Sequence, residues 1–451
     1  MVKENLKSGS PLLRSWIPVE KNSDFPIQNL PFGIFIPPTF PGAEAKDLLP
    51  RVGVAIGDYV LDLAKLKKAG LFNALNFDTN VFAKSSLNDF IALGKKTTSA
   101  VRARISKLLE ERNPELRDDE KTRKKVLHKM SDVKILLPVE IGDYTDFYSS
   151  MEHAQNVGTM FRDPANALLP NWKHLPVAYH GRASSIVVSG TNFHRPKGQM
   201  KATPSQSPPK GETKQPVDDI VFGPTKQLDF ELEVGFIIGK ETKLGESISI
   251  KDAEDYIFGM VLFNDWSARD IQAWEYVPLG PFLGKNFCSS MSPWVVMLDA
   301  LEPFRTASPK QDVPVLPYLQ VEKPTTFDIN LEACIEQQTT NNEPLISVVS
   351  KSNFKYLYWN MAQQLAHHTV NGCNVKVGDL MASGTISGAA VDSYGSMLEL
   401  TWKGTKPIKL SDGSERKFIN DNDTVTMRGF SEKDGLRIGF GEVKGKVLPA
   451  K

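Results

Sequence analysis

From about residue 133 to its end, the chain is dominated by short runs with the pattern of β-strands. The clearest are Phe230–Ile238, Phe258–Asn264 and Leu436–Gly441, which are rich in branched and aromatic residues and are separated by turn formers. Few helical patterns interrupt them, the main one being Phe354 to His368. No repeat of fixed period is visible, which argues against a solenoid or a propeller. This pattern predicts a large, mostly antiparallel β domain.

About the first 130 residues predict a smaller unit of a different kind. Short β-like pieces lie at Gly33–Ile36, Arg51–Ile56 and Tyr59–Asp62, with Pro- and Gly-rich turns between them. An amphipathic stretch, Leu87 to Glu111, has the spacing of a helix. The charged segment that follows, Glu115 to Lys129, is typical of a solvated helix face or a linker.

A chain of 451 residues is too long for one ordinary domain, so we predict two. Residues 1–132 are expected to form an N-terminal β domain with a helical linker, and residues 133–451 a catalytic domain that opens with the strand-like run Val133–Leu137. The segment Ala202–Pro216 has the composition of an exposed flexible loop, and residues 1–15 resemble an extension.

Charge and cysteine content exclude several classes of function. Lys plus Arg number 54 against 53 Asp plus Glu, so the formal net charge of +1 gives no global attraction to nucleic acid or to an anionic membrane. The 3 cysteines form no CxxC pair, which indicates free thiols in a reducing compartment. Neither a secretory apolar segment nor an apolar run of about 18 residues is present. A cytoplasmic protein is therefore expected.

Two glutamates stand two residues apart in the mostly apolar stretch Leu228 to Phe236. Side chains alternate between the faces of a strand, so Glu231 and Glu233 share one face, with backbones about 6.6 Å apart. Carboxylates this close repel each other unless a positive group lies between them. An ordinary strand with its polar face in water gives the same pattern, so the pair alone leaves both interpretations open.

Asp265 ends a run, Phe258 to Asp265, that is apolar enough for a strand buried on both faces. A carboxylate at the end of a buried strand that leads into a helix is a common place for a ligand or a catalytic group. On the helix predicted next, Arg269, Gln272 and Tyr276 recur at i, i+3 and i+7 and share a face. A solvated polar stripe accounts for the same spacing.

Other candidates cannot be interpreted from the local pattern alone. His153 lies about one turn inside a helix predicted to start near Ser149, close to Asp146 and Tyr148, and a lone histidine there is more often structural. Equally uninformative by themselves are Arg162, Tyr179, Lys285, Thr385 and Glu399. The pair His367 and His368 ends a predicted helix, where the dipole favours them as structural residues.

Several catalytic motifs are absent from the sequence. It contains no Walker loop, no HExxH, no GxSxG and no dinucleotide fingerprint. The ligand candidates that remain are carboxylates, which select hard cations such as Ca²⁺ or Mg²⁺. The residues by themselves therefore predict an enzyme that holds a divalent metal ion through carboxylates.

Longer stretches carry a resemblance to a known family. They are Ile141–Ser150, Asn166–Ser189, Leu228–Glu233, Asn264–Lys285, Ala382–Gly388 and, in the first domain, Ser23–Pro31. Together they closely resemble the fumarylacetoacetases, and the similarity runs from about Ile17 to Ala450. The resemblance implies a mainly β (α+β) fold, with an N-terminal SH3-like barrel and a larger β-roll catalytic domain, assembled as a homodimer.

The resemblance also implies a role for each candidate residue. Calcium ligands are implied for Asp146, Glu231, Glu233 and Asp265. His153 matches the general base and Glu399 the carboxylate that orients it. Substrate contacts are implied for Tyr148, Arg162, Tyr179, Gln272, Tyr276 and Thr385. Cations near the reacting diketone are Arg269 and Lys285, and Gln272 assists them. A second, magnesium site matches Asp265, Lys285 through its backbone carbonyl, and Ser289, which stands where the family has a threonine.

The implied reaction is hydrolysis of the carbon–carbon bond of 4-fumarylacetoacetate to fumarate and acetoacetate, the last step of tyrosine and phenylalanine breakdown. A metal ion would assist the attack of a water molecule that His153 activates. One alternative is another activity of the superfamily, acylpyruvate hydrolysis or oxaloacetate decarboxylation, although those relatives generally lack the N-terminal domain. The other is a non-catalytic scaffold, which the joint presence of His153, Glu399 and the four carboxylates argues against.

Overall fold

The computed structural model describes residues 12–39, 44–77, 80–202, 219–322, 325–338 and 343–451. The predicted loop Ala202–Pro216 lies outside the described residues except for Ala202, and so does the extension except for residues 12–15. The helices are α1 Leu63–Lys68, α2 Asn88–Ile91, α3 Lys95–Leu109, α4 Pro114–Arg117, α5 Glu120–Val126, α6 Met151–Phe161, α7 Arg269–Glu275, α8 Leu298–Leu301, α9 Met361–Thr369 and α10 Met397–Leu400.

The strands are numbered in chain order. They are β1 Phe32–Ile36, β2 Arg51–Ile56, β3 Tyr59–Asp62, β4 Leu127–Lys129, β5 Lys134–Leu136, β6 Tyr144–Phe147, β7 Ala178–Gly181, β8 Ile186–Val188, β9 Phe193–His194, β10 Lys197–Lys201, β11 Ile220–Pro224, β12 Leu228–Asp229, β13 Leu232–Ile238, β14 Ile257–Asp265, β15 Ser267–Ala268, β16 Ser289–Met291, β17 Val296–Met297, β18 Arg305–Ala307, β19 Thr325–Phe327, β20 Asn330–Gln338, β21 Pro344–Asn353, β22 Leu380–Ala382, β23 Ile408–Lys409, β24 Glu415–Arg416, β25 Thr424–Lys433 and β26 Leu436–Leu448. Mixed sheets with short helices confirm the expected α+β class.

The N-terminal part of the chain, called the first half below, ends with β5 and is built on a five-stranded antiparallel sheet in the order β4-β3-β2-β1-β5. The chain from β6 onward is called the second half. Helix α3 buries Val101, Ile105 and Leu108 in its core, a spacing that confirms the helical pattern predicted there. The predicted stretch Leu87 to Glu111 forms two helices, α2 and α3, because Gly94 between them has a φ of 82°. The charged segment Glu115 to Lys129 contributes α4, α5 and then β4 at the edge of the sheet.

A buried carboxylate fixes the start of helix α1. Asp62 is 0% exposed, and its Oδ1 accepts the backbone N–H of Lys65 at 2.9 Å. Its Oδ2 lies 3.4 Å from Nη1 of Arg51. The side chain is thus an N-cap that also forms an ion pair.

A strand lies within the run Val133–Leu137, as predicted, but it belongs to the first sheet. It forms β5, which pairs antiparallel with β1 in the first sheet and does not open the second half. A short apolar run predicts a strand but carries no information about its partner. The division into residues 1–132 and 133–451 stays a prediction.

The second half contains an eight-stranded mixed sheet and a five-stranded sheet. The larger has the order β7-β6-β22-β13-β14-β16-β8, with β17 also paired to β14, and the smaller has the order β21-β20-β25-β26-β9. In the larger sheet β22 runs parallel to β6, and β16 runs parallel to β8. Strand β14 is buried along its whole length, which confirms the prediction of a strand covered on both faces.

Strand β14 contributes to two hydrophobic cores. Phe258, Val261 and Phe263 pack into the core of the first half, whereas Met260 and Leu262 pack into the core of the second. From Met260 to Phe263 this is the alternation that a two-faced strand requires, and Phe258 departs from it where the pairing with β13 shifts register. Two backbone hydrogen bonds between Phe32 and Val295, of 3.1 and 2.8 Å, join β1 to the second half.

Helix α9 is shorter than the predicted helix Phe354 to His368. It begins after Asn360, whose side chain accepts the backbone N–H of Gln363 in a capping box. The two histidines near its end have structural partners: Tyr318 for His367 and Thr145 for His368, each at 3.0 Å. No helix in the described part of the chain combines the length and apolarity needed to cross a bilayer.

Candidate active site

The eight-stranded sheet places most of the candidate residues along one edge. Strands β6, β22 and β14 end at this edge, and their antiparallel neighbours β7, β13 and β16 begin there. Asp146 of β6 pairs with Tyr179 of β7, and Asp265 at the end of β14 pairs with Ser289 of β16. The strand register therefore brings together side chains that lie far apart in the sequence.

Four carboxylates converge at this edge. One oxygen from each lies within 4.8 Å of the others in the set Asp146, Glu231, Glu233 and Asp265. Glu231 is 5% exposed and Glu233 is 0% exposed, so a strand with its polar face in water is excluded. Buried like charges are stable only beside compensating positive charge.

Two basic side chains supply part of that charge. Nζ of Lys285 lies 2.5 Å from Oε2 of Glu231 and 2.6 Å from Oδ2 of Asp265. Nη1 of Arg269 lies 2.7 Å from Oε1 of Glu231. Burial raises the pKa of Glu231, but the charges of Lys285 and Arg269 outweigh it and hold that pKa well below its ordinary value.

The four carboxylates are called the cation cluster below. Two of them lack a complete set of hydrogen-bond partners. Oδ1 of Asp146 and Oε1 of Glu233 are buried without a hydrogen-bond partner among the described residues. Burial raises the pKa of both groups well above the ordinary value, and neighbouring carboxylates raise it further. An anionic, all-oxygen donor set is what hard divalent cations take. The cluster could therefore hold a metal ion, and the two unpartnered oxygens fit one.

A fifth buried carboxylate binds the candidate base. Nδ1 of His153 lies 2.6 Å from Oε2 of Glu399, and the residues are 3% and 1% exposed. Because a carboxylate only accepts, Nδ1 carries the hydrogen and Nε2 remains an acceptor. Helix α6 begins after Ser150, whose hydroxyl accepts the N–H of His153 and so fixes the histidine in the first turn.

Glu399 is held by three further side chains that the sequence did not single out. Asn156 donates to Oε1 at 2.9 Å, and Ser387 and Ser396 donate to Oε2 at 2.9 and 2.8 Å. Burial raises the pKa of Glu399, but His153 and these hydrogen bonds outweigh it, so the pKa lies below its ordinary value. Ser396 stands three residues before Glu399 in an N-cap pattern that sequence reading could have found.

A cavity of about 670 Å³ opens beside the four carboxylates and the His153–Glu399 pair. The sequence-predicted residues in its wall are Asp146, Tyr148, His153, Arg162, Tyr179, Glu231, Arg269, Gln272, Tyr276, Lys285 and Thr385. The remaining four, Glu233, Asp265, Ser289 and Glu399, lie behind that wall. The structure thus gathers the whole predicted set around one cavity.

The cavity wall offers two hydrogen-bond donors without partners among the described residues. They are Nη2 of Arg269 and the hydroxyl of Thr385, both buried. Nη1 of Arg269 also lies 3.3 Å from Oε1 of Gln272, so the shared helix face predicted for these two residues is turned to the cavity. Unpartnered buried donors cost stability, and they are expected where a ligand completes the bonding.

Two predicted substrate contacts lie nearer the solvent. Arg162 is exposed at the end of helix α6, where its Nη2 donates to the backbone oxygen of Ala167 at 2.6 Å. Tyr276 is 45% exposed at the end of α7. Both line the cavity, so they form part of its mouth.

A second, smaller cavity of about 180 Å³ lies beside Asp265 of the cation cluster. Asp265, Lys285 and Ser289, the set implied for a second cation, are all in its wall. The hydroxyl of Ser289 donates to Oδ1 of Asp265 at 2.8 Å.

Comparisons with known proteins agree with this architecture. The family profile described as "Fumarylacetoacetase N-terminal" matches residues 28–138, and "Fumarylacetoacetate (FAA) hydrolase C-terminal" matches residues 144–448. The fumarylacetoacetase of Homo sapiens is 52% identical over 436 residues, covering 97% of this chain and 99% of the relative. That of Dictyostelium discoideum is 53% identical over 442 residues, with the same coverage.

A solved structure has the same fold. The fumarylacetoacetate hydrolase of Exiguobacterium antarcticum superposes with a TM-score of 0.50 at 16% identity, covering 94% of this chain and all of that one. Fold and site define an α+β enzyme whose cavity joins a carboxylate cluster suited to a cation with a carboxylate–histidine pair. The matches over nearly the full length make the assignment specific: this chain belongs to the fumarylacetoacetase family.

Proposed function

We propose that this chain hydrolyses 4-fumarylacetoacetate to fumarate and acetoacetate. The observation that carries the proposal is the His153–Glu399 pair, which opens onto the same cavity as the four-carboxylate cluster. Relatives at about half identity over nearly the whole chain are named fumarylacetoacetases, and this supports the choice of substrate.

His153 acts as the general base. Glu399 holds its Nδ1–H, so Nε2 takes the proton from a water molecule as the water oxygen attacks the carbonyl carbon of the fumaryl group. The arrangement follows the logic of a Ser-His-Asp triad with water as the nucleophile. The carbon–carbon bond then breaks, the hydroxyl stays on the fumaryl carbon, and the released carbon takes up a proton to give acetoacetate.

The hydrogen-bond donors of the wall stabilise the negative charge that develops. Nη2 of Arg269 and the hydroxyl of Thr385 are unpartnered among the described residues and belong to residues of the cavity wall, so a developing oxyanion can supply the acceptor they lack. Gln272 and Lys285 lie beside them. Arg162 at the mouth, with Tyr148 and Tyr179 deeper in the wall, binds a substrate carboxylate, for which a planar guanidinium is well suited.

The carboxylate cluster is proposed to hold Ca²⁺ through Asp146, Glu231, Glu233 and Asp265, and Mg²⁺ next to Asp265, Ser289 and the backbone of Lys285. Cations here would polarise the diketone oxygens and favour the enolate form of the leaving group. Oxygen-only ligands support hard cations, and the unpartnered oxygens of Asp146 and Glu233 support the first site.

Two further proposals concern the setting of the enzyme. We propose a homodimer, which rests on the family resemblance, and light scattering of the purified chain tests it. We propose the cytoplasm as its compartment, in keeping with the free thiols of Cys288, Cys334 and Cys373. Fractionation of cells that express the chain tests this second point.

The activity is tested by the loss of fumarylacetoacetate absorbance in the ultraviolet, with and without a divalent-metal chelator. Cleavage that the chelator stops and Ca²⁺ or Mg²⁺ restores is the expected result. If metal-supplied protein leaves fumarylacetoacetate intact, the proposal fails. Acylpyruvates and oxaloacetate, assayed in parallel, then distinguish another superfamily activity from a scaffold.

A further inference from the structure

Asp229 is a buried carboxylate to which no role has been given so far. It is 0% exposed, lies at the end of strand β12, and stands two residues before Glu231. It does not line the cavity. Burial raises its pKa, while the guanidinium of Arg269 and backbone hydrogen bonds lower it, with a net rise. A buried carboxylate is stable only with several donors, and Asp229 has three.

Two of these donors belong to the helix that carries Glu399. The backbone N–H of Met397 donates to Oδ1 of Asp229 at 2.7 Å, and that of Leu398 donates to Oδ2 at 3.0 Å. Helix α10 has only four residues, so its own hydrogen bonds cannot hold it rigid. Asp229 therefore fixes the direction from which Glu399 reaches His153.

The third donor belongs to the arginine of the cavity wall. Nε of Arg269 donates to Oδ2 of Asp229 at 2.8 Å, and Nη1 of the same guanidinium pairs with Glu231 at 2.7 Å. Because the guanidinium is planar, these two bonds fix where Nη2 points. Nη2 is the donor left without a partner among the described residues.

We propose that Asp229 is a positioning residue that holds the oxyanion donor Arg269 and the base-orienting Glu399 in fixed relation to each other. It touches neither the substrate nor the reacting atoms and acts through these two residues. The proposal rests on the proposed function wherever turnover is the readout. A purely structural role, in which Asp229 only stabilises the fold, is the competing explanation.

Asp62 provides a matched control for that explanation. It too is 0% exposed, accepts the N–H of a helical first turn, and pairs with an arginine, but it lies in the first half of the chain. The two substitutions Asp229→Asn and Asp62→Asn replace a buried acceptor in the same way. In each variant the amide N–H₂ faces at least one N–H group that had donated a hydrogen bond to the carboxylate.

Turnover distinguishes the two variants. In Asp229→Asn we expect kcat to fall by about 10²-fold, as misplacement of catalytic groups does, with KM little changed. Combined with Glu399→Gln it should add little further loss, because residues that act as a unit are non-additive. Asp62→Asn should lower the melting temperature and leave kcat unchanged. Its loss of stability should add independently to any loss of stability in Glu399→Gln.

Proton NMR provides a readout that does not depend on activity. The proton in the 2.6 Å hydrogen bond between His153 and Glu399 should give a low-field resonance in the full-length protein. We expect this resonance to shift or broaden in Asp229→Asn and to stay in place in Asp62→Asn. If Asp229→Asn does not fold, Asp229→Glu replaces it, since the longer side chain moves the carboxylate relative to the N–H groups of Met397 and Leu398.

The outcomes separate the two proposals. Wild-type kcat together with an unmoved resonance in Asp229→Asn overturns the positioning role, and so does an equal loss of kcat in Asp62→Asn. Where Asp229→Glu stands in for Asp229→Asn, wild-type kcat together with an unmoved resonance overturns the role as well. If the wild-type protein does not cleave fumarylacetoacetate, the proposed function fails, while the NMR comparison still tests the link between Asp229 and the His153–Glu399 pair.

Discussion

Two sets of buried carboxyl groups lie beside one cavity: Glu399 by itself, and the four carboxylates of the cation cluster. They differ in whether all of their oxygens have hydrogen-bond partners. Both oxygens of Glu399 accept hydrogen bonds from neighbouring side chains. In the cation cluster, Asp146 and Glu233 each keep one buried oxygen without a partner among the described residues. The first group is completed by the chain itself, whereas the second is built to be completed by something the chain binds.

The pKa directions follow from this difference. Burial acts on every one of these groups, but donors outweigh it at Glu399 and hold its pKa below the ordinary value. At Asp146 and Glu233 neighbouring carboxylates add to the effect of burial, and both pKa values are raised. Equal burial therefore produces an ionised carboxylate in one place and a site that favours a cation or a proton in the other.

The largest effect is expected from the substitution His153→Ala. It removes the base and leaves the four cluster carboxylates in place, so kcat should fall toward the upper end of the range of about 10²–10⁴-fold that general bases provide. His367→Ala, at a helix end outside the cavity, is the matched control. Steady-state kinetics together with calorimetric cation binding measure the effect. Loss of cation binding in His153→Ala would contradict the separation of the two groups.

The next effect separates the groups by their ligands. Glu233→Gln should weaken Ca²⁺ binding by at least the 10–100-fold that loss of an outer-shell partner costs, because it removes a carboxylate of the cluster. Glu399→Gln should leave Ca²⁺ affinity unchanged, since its four donors all lie outside the cluster. Titration calorimetry of both variants decides the matter. Equal affinities in the two would show that the cluster does not hold the cation.

A smaller effect is expected in the pH dependence of stability after chelator treatment. The raised pKa values of Asp146 and Glu233 stabilise the fold below their unfolded values, near about 4, and this stabilisation is lost as the pH rises through the folded values. The melting temperature should therefore rise on acidification from pH 8 toward pH 5. Glu399, whose pKa is lowered, contributes stability above its unfolded value and loses it only at lower pH.

Added Ca²⁺ and the variant Glu233→Gln sharpen this measurement. Either should raise the melting temperature at pH 8 and flatten its pH dependence, because each removes uncompensated negative charge. A scanning calorimetry series from pH 5 to pH 8 records both. A melting temperature that falls steadily on acidification in chelator-treated protein would contradict the assigned pKa directions.

The smallest effect is expected at the satisfied group. Ser387→Ala removes one of three donors to Oε2 of Glu399 and also the acceptor of the Gly395 N–H, so the free energy of unfolding should drop by about 1–3 kcal/mol, the net value of two hydrogen bonds. Because two donors remain, kcat should fall by less than tenfold. Denaturant unfolding and steady-state kinetics measure the two quantities. A larger loss of activity than of stability would assign Ser387 a direct part in catalysis.

The sequence predicted individual strands and helices better than it predicted which of them lie next to each other. The apolar run ending at Asp265 predicted β14, and the spacing of Glu231 and Glu233 placed them on one face. Neither pattern could reveal that Asp146 would join them, because that depends on β6 pairing with β22 and β22 with β13. Register between distant strands is a tertiary property, and only the family resemblance anticipated its result.

The supporting residues of the site were harder to predict than the candidates themselves. Asp229 shares the strand face of Glu231 by spacing, but its partners are backbone N–H groups of Met397 and Leu398. Asn156 lies one turn after His153, and nothing local shows that it faces Glu399. Groups that act through backbone contacts or across helices leave little pattern in the sequence, since any polar residue at those positions looks solvated.

The sharing of strand β14 between two cores has a consequence for synthesis on the ribosome. The first half leaves the exit tunnel well before Phe258, Val261 and Phe263, which complete its core, and before Val295, which pairs with Phe32. Its apolar interior therefore stays partly exposed until these later residues have been synthesised. Chaperone demand should peak in that interval. Substitutions in the first half should therefore lower the yield of active enzyme, even where they lie far from the cavity.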